Sequence, residues 1–188
     1  MILIKKDGVL YFCESALNSY AYTSSDDITK HPENLHIIRC ENMPHRIMLA
    51  NMPMRAADVL RYEDVFPKRL TAKELAFNTY HKVCSLLEPF GLLKDGEYPY
   101  DLAFAHKDKC YVLRGGGMID EVEEFFPLTS ASNTAIGAYI LHKDKPIYEM
   151  IFNVYREMED HTRYVLFPII VMNTKTNEVK IINREDFK

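Results

Sequence analysis

The sequence predicts an α+β fold, a four-layer αββα sandwich in which two antiparallel sheets lie between helix layers. Three observations lead there. Alternating apolar segments come in groups, each group able to present one covered face of a sheet. Helical patterns come in pairs between those groups. The stretch from Tyr100 to Leu141 reads as a complete unit, in which a β-meander hands over to a helix through a run of small residues. Two sheets packed face to face, with a helix layer outside each, would bury every apolar face in this order.

Leu3 to Lys6 and Val9 to Glu14 read as strands joined at Asp7-Gly8, a dipeptide that tolerates the positive φ of a tight hairpin. Ser15 to Pro32 is polar and turn-rich. Leu35 to Arg39 and Arg46 to Ala50 are two further strands, with a turn at Glu41 to Pro44. Asn51 before Pro53 opens a helix continued by Ala56, Val59 and Leu60. Thr71-Ala72-Lys73-Glu74 is a capping box, whose end residues each satisfy the other's exposed amide. The helix behind it sets Leu75, Val83, Leu86 and Leu87 on one side and ends before Pro89 or Gly91. The meander follows. Leu102 and Phe104 lead to a turn at Lys107-Asp108-Lys109, and Tyr111-Val112-Leu113 leads to Gly115-Gly116-Gly117. Met118 to Phe126 reads as its third segment, and Leu128 to Asn133 opens a helix at about Thr134 to Ala138. Asp144 is expected to cap the next helix, with Pro146 in its first turn. Ile147, Met150, Ile151, Val154, Tyr155 and Met158 give that helix one apolar face. Val165 to Met172, a turn at Asn173 to Asn177, and Val179 to Ile182 form the closing hairpin. No repeat, linker or low-complexity tract divides the chain, so residues 1–188 are expected to form a single domain.

Composition narrows the function classes. The chain has 188 residues, 47% of them hydrophobic, enough for a substantial core. A net charge of −4 and the lack of a Lys/Arg cluster argue against a nucleic-acid partner. No apolar run reaches the roughly 20 residues that span a bilayer. Met1-Ile2-Leu3-Ile4 is too short for a signal peptide, so no membrane association and a cytoplasmic location are expected. Cys13, Cys40, Cys84 and Cys110 show no CxxC spacing and read as reduced, buried residues. The seven histidines form no HxxxH or HxH pair, and neither a metal nor a cofactor is expected. Gly115-Gly116-Gly117 reads as a hairpin turn rather than a phosphate cradle, because a strand follows it. Asp120, Glu121, Glu123 and Glu124 read as a solvated strand edge.

Element order and local motifs resemble the proteasome β-subunit and its bacterial relative HslV, of the N-terminal nucleophile (Ntn) hydrolase superfamily. The resemblance runs from Met1 to about Met172. Ile4 to Ser15 looks like the family's first hairpin, in which a Lys-Asp-Gly turn leads to a strand ending in an acid. Leu35 to Leu60 looks like the next strand pair and its helix. Leu128-Thr129-Ser130-Ala131-Ser132, with Ala135 and Gly137, resembles the family's Ile-Gly-Ser-Gly-Ser segment entering the third helix.

The resemblance implies a site and also departures from it. Family members use an N-terminal Thr, and elsewhere in the superfamily Ser or Cys, whose hydroxyl or thiol attacks while its own α-amine acts as base. Here Met1-Ile2-Leu3 stands at that end, and alignment on Asp7-Gly8 leaves the first strand about three residues short of the nucleophile. Glu14 takes the place of the family's acid. The family's lysine falls near Asn34, with Lys30 close by in sequence, and its second Gly is Ala131. Its late acid and Ser correspond to Glu159 and Thr162, and the Gly-Gly that follows is Arg163-Tyr164. Glu14, Cys13, Ser130 and Thr162 are thus the candidate catalytic residues. The expectation is a non-proteolytic, self-assembling relative that forms a homo-oligomer. Met43, Met48, Met52 and Met54 near one strand-to-helix junction suit either adaptable contacts or core filling. The alternative is an amide or peptide hydrolase. Its nucleophile would be Cys13, with His36, His45 or His106, or a residue exposed by processing at Thr23, Ser24 or Ser25.

Overall fold

Asp7 and Gly8 both adopt positive φ, 52° and 72°, the geometry of a two-residue hairpin whose twist matches its strands. They join β1 (Ile2–Lys6) to β2 (Val9–Ser15). The computed structural model describes residues 1–15, 38–39, 47–50, 56, 59–60, 73–99, 101–106, 108–114, 118–162, 165–176 and 178–187. The chain divides into two compact units, one of residues 1–32 and 123–188, the other of residues 33–122.

The first unit holds an antiparallel five-stranded sheet, in the order β10-β9-β2-β1-β8. Its other strands are β8 (Phe125–Pro127), β9 (Ile169–Asn173) and β10 (Val179–Ile182). Register sets which side chains share a face. Ile2 lies opposite Cys13, and Cys13 opposite Val171. With Ile4, Ile169 and Ile182 they pack against two helices, α2 (Ser132–His142) and α3 (Ile147–His161). Ala131, Ala135 and Ala138 let α2 approach closely, and Met150, Ile151, Val154, Tyr155 and Met158 fill the space from α3. The opposite face of this sheet carries Leu3, Leu10, Phe12, Ile170 and Met172, all buried.

The second unit holds a five-stranded antiparallel sheet in the order β3-β4-β5-β6-β7. Its strands are β3 (Ile38–Arg39), β4 (Ile47–Ala50), β5 (Leu102–His106), β6 (Lys109–Arg114) and β7 (Met118–Glu121). Leu102, Phe104, Tyr111 and Leu113 face α1 (Lys73–Leu87) and the helical residues Ala56 and Leu60. α1 runs into a short 3₁₀ turn at Glu88–Phe90 and stops at Gly91, whose left-handed φ of 66° suits glycine.

The two-sheet α+β class expected from the sequence is the one observed, and three local expectations are corrected. Met118 to Phe126 is not one segment. Val122 still donates to the Cys110 carbonyl at 2.9 Å, but the Glu124 carbonyl accepts from Lys5 at 2.6 Å. The chain changes partner at the exposed pair Glu123-Glu124, and β8 joins the other sheet beside β1. Asp144 does not cap α3. Pro146 is the N-cap, with φ −52° fixed by its ring, and its carbonyl accepts the first helical bond from Met150 at 2.8 Å. Val165 to Pro168 is not strand, and β9 begins at Ile169. Thr71 of the capping box, Gly115-Gly116-Gly117, the first loop from residue 16 on, and Met43, Met52 and Met54 lie outside the described residues. Among the described residues, no helix is long and apolar enough to cross a membrane.

Candidate functional site

Antiparallel register carries Met1 one step past the Ile2–Cys13 pair, to the Glu14 end of β2. There the β1–β8 ladder continues into the loop before α2. Leu128 donates its N–H to the Met1 carbonyl at 3.0 Å, and the Met1 ammonium donates to the Leu128 carbonyl at 3.3 Å. Burial strips water from this amine and lowers its pKa below the ordinary value of 8.0; the negative charge of Glu14 opposes that shift. The Glu14 side chain is itself buried, on the sheet face shared by Leu10 and Phe12. The result is a desolvated amine beside a carboxyl, held by backbone at the entry to α2.

The loop that follows Leu128 beside these polar groups is the small-residue run. Thr129 Oγ1 accepts from the Ala131 N–H at 3.3 Å, shaping the turn, while Ser130 is exposed and Ala131 is buried against the core. Ala131 joins Ala135 and Ala138 in the core shared with β1 and α3 side chains.

Cys13 points the other way. It alternates with Glu14 along β2, so the two side chains project from opposite faces, and Cys13 lies among apolar residues under the helices. Burial pushes its thiol well above the ordinary value of 9.0, so the thiolate needed for attack is suppressed. The buried Tyr155 hydroxyl of α3 donates to the Cys13 carbonyl at 2.6 Å, and burial also raises the Tyr155 pKa. Thr162 ends α3 and spends its hydroxyl on the Met158 carbonyl at 2.7 Å, while Glu159 pairs with Arg184 at 3.2 Å. Met1, Glu14 and the Thr129–Ala131 loop are therefore neighbours, whereas Cys13 and Thr162 serve the packing of α3.

Of the proposed partners, His36, His45, Asn34, Lys30, Arg163, Tyr164, Thr23, Ser24 and Ser25 lie outside the described residues, as does the side chain of His106. Among the described residues, no three His, Cys, Asp or Glu side chains are grouped to hold a metal ion. The acidic strand edge carries ion pairs, Asp120 with Arg114 at 3.2 Å and Glu121 with Lys109 at 2.6 Å. Two participants escaped sequence reading. Ser15 Oγ donates to the Leu166 carbonyl and accepts from the Leu166 N–H, both at 2.8 Å, and Tyr155 reads as one more apolar position of α3.

No family model matches the chain, and neither does any curated protein sequence. Solved structures do. The chain is similar to Thiobacillus denitrificans BPH in complex with epoxomicin, with TM-score 0.67 and 16% identity over 97% of this chain and 98% of that one. It is similar to Anbu (ancestral beta-subunit) from Yersinia bercovieri, with TM-score 0.63 and 11% identity over 99% and 87%. The Anbu (Gly-1) mutant from Hyphomicrobium sp. strain MC1 gives TM-score 0.66 and 10% identity over 98% and 87%. At these identities the likeness establishes a proteasome-like, Ntn-hydrolase-type fold without singling out HslV, and activity has to be argued from the site.

Proposed function

We propose that this chain is a proteasome-subunit-like protein that assembles with copies of itself and does not cleave peptide bonds. One observation carries the reading: the site beside Glu14 presents an amine and a carboxyl, while Cys13 projects from the opposite face of β2 and is fully buried. Thr162 is engaged at the end of α3. The described cysteines, Cys13, Cys84 and Cys110, are buried and form no disulfide among the described residues, which fits a reducing, cytoplasmic setting.

A hydrolase reading has one observation in its favour: burial lowers the pKa of the Met1 amine, which favours the neutral form that a base requires. One experiment separates the two. The protein is expressed from its native gene with the upstream region included, and its intact mass is measured before and after incubation with epoxomicin and with iodoacetamide. Peptide and amide substrates are assayed alongside. The proposal expects a chain beginning at Met1, no adduct under native conditions and no turnover. A chain beginning with Thr, Ser or Cys, or a stoichiometric adduct accompanied by turnover, would overturn it.

A further inference from the structure

α2 is held to its unit by little apolar area along its length. Its buried side chains are Ala135 and Ala138, whereas α3 buries Met150, Ile151, Phe152, Val154, Tyr155 and Met158. Two methyl groups supply a small fraction of the burial that six large side chains supply. The half-buried Tyr139 adds a ring stacked on Phe125 at 4.4 Å. The seating of α2 therefore leans on what fastens its two ends.

One end is fastened by backbone, where Met1 and Leu128 exchange two hydrogen bonds just before the Thr129–Ala131 loop. The other end is fastened by one side chain. The chain leaves α2 at Lys143 in right-handed geometry, φ −56° and ψ −26°, without the left-handed residue that commonly turns N–H groups onto the last carbonyls. The Lys145 N–H returns to the His142 carbonyl at 3.0 Å. The carbonyls of Lys143 and Lys145 accept from Lys6 Nζ, at 2.8 and 2.6 Å. Lys6 is the last residue of β1, 137 and 139 positions away in sequence. Its ammonium is a positive charge at the negative end of α2, and bonds from a charged donor are the stronger kind. β1 and α2 are thus tied together at both ends, and the tie away from Glu14 is a single cation.

We propose that Lys6 is a charge-dependent clasp for the C-terminal end of α2, and that its amine is an acylation site whose modification opens the clasp. The side chain is partly exposed, within reach of a small acyl donor. In transfer from an acyl phosphate, a bond forms between Nζ and the acyl carbon. The bond from that carbon to the phosphate oxygen breaks, the phosphate leaves, and Nζ gives up a proton. The product is a neutral amide with one N–H in place of three ammonium donors. It serves one of the two carbonyls as a linear donor and brings no charge to the helix end. The far end of α2 is then released from β1, while its near end stays pinned at Leu128, beside the Thr129–Ala131 loop.

Amide hydrogen exchange on the full chain tests the clasp, comparing wild type with Lys6→Arg, Lys6→Met and a chain carrying Nε-acetyllysine at position 6. Arginine keeps the charge and the donors, whereas methionine and acetyllysine remove the charge. The last two are expected to exchange about tenfold or more faster at residues 140–145, with β9 protected as in wild type and Lys6→Arg close to wild type. Exchange at 140–145 equal to wild type, or faster by the same factor in β9, would overturn the clasp. For the modification, native wild type is treated with acetyl phosphate and mapped by mass spectrometry. Acetylation at Lys6, with faster exchange at 140–145 in the acetylated molecules, is expected. A Lys6 that stays unmodified while the exposed Lys94 and Lys175 are acetylated would overturn the acylation site.

Discussion

Tyr155 shows how one polar atom is accommodated inside an apolar layer. Its ring belongs to the α3 face that covers β1 and β2, and its hydroxyl reaches the Cys13 carbonyl at 2.6 Å. Tyr155→Phe keeps the ring and removes the bond, so a loss of about 1–2 kcal/mol is expected in urea unfolding. Cys13 itself leaves a signature in alkali. Its folded pKa is raised, so above pH 9.0 the unfolded chain releases a proton that the folded chain retains. Its stabilising contribution is full below pH 9.0 and is lost progressively as pH rises toward its folded pKa. Cys13→Ala is expected to flatten the fall in unfolding midpoint between about pH 9 and 10.5 relative to wild type. The Met1 amine acts with the opposite sense, since its folded pKa is lowered. Below pH 8.0 the unfolded chain takes up a proton that the folded chain resists, so this group favours folding more as pH rises to that value.

At the scale of elements, backbone chemistry and periodicity made most of the fold legible. Asp7-Gly8, the spacing of α3 and the stop at Gly91 each follow from local rules, and each is present. Gly91→Ala places a Cβ on a residue with φ of 66°, and a cost of about 1 kcal/mol is expected in thermal or urea unfolding. Three readings failed where tertiary partners decide. An apolar segment such as Met118 to Phe126 carries no mark of which sheet each half will join. Asp144 is a good cap in isolation, but Pro146 sits closer to the helix and fixes its own φ. Val165 to Pro168 is apolar like a strand, yet both backbone groups of Leu166 are engaged by the Ser15 hydroxyl. The candidate site was legible in part for the same reason. The small-residue run announced the close approach at Ala131, and the hairpin placed Glu14 near the chain start. That Cys13 and Glu14 face opposite ways follows from alternation alone, whereas the engagement of Tyr155 with Cys13 depends on a contact 142 residues apart in sequence.

At the scale of the molecule, the first unit is assembled from both ends of the chain, and β1 and β2 depend on strands that come much later. β2 pairs with β9, and β1 pairs with β8. A chain ended after Thr162 lacks β9 and β10 and leaves the β2 edge bare. It is expected to show no cooperative unfolding transition and to aggregate, as followed by light scattering and urea titration.

That arrangement also sets a clock. The β1–β2 hairpin leaves the ribosome before its sheet partners: β8 is made about a hundred residues after it and β9 later still. At on the order of 5–20 residues per second, the hairpin waits several seconds or more with both edges open. Throughout that interval its alternating Ile, Leu and Phe side chains are a sticky ribbon in a crowded solution, and early chains on one message are each other's nearest hazard. The demand this protein places on its cell is therefore greatest before it is finished, and chaperone supply during synthesis should govern its yield more than the stability of the completed fold.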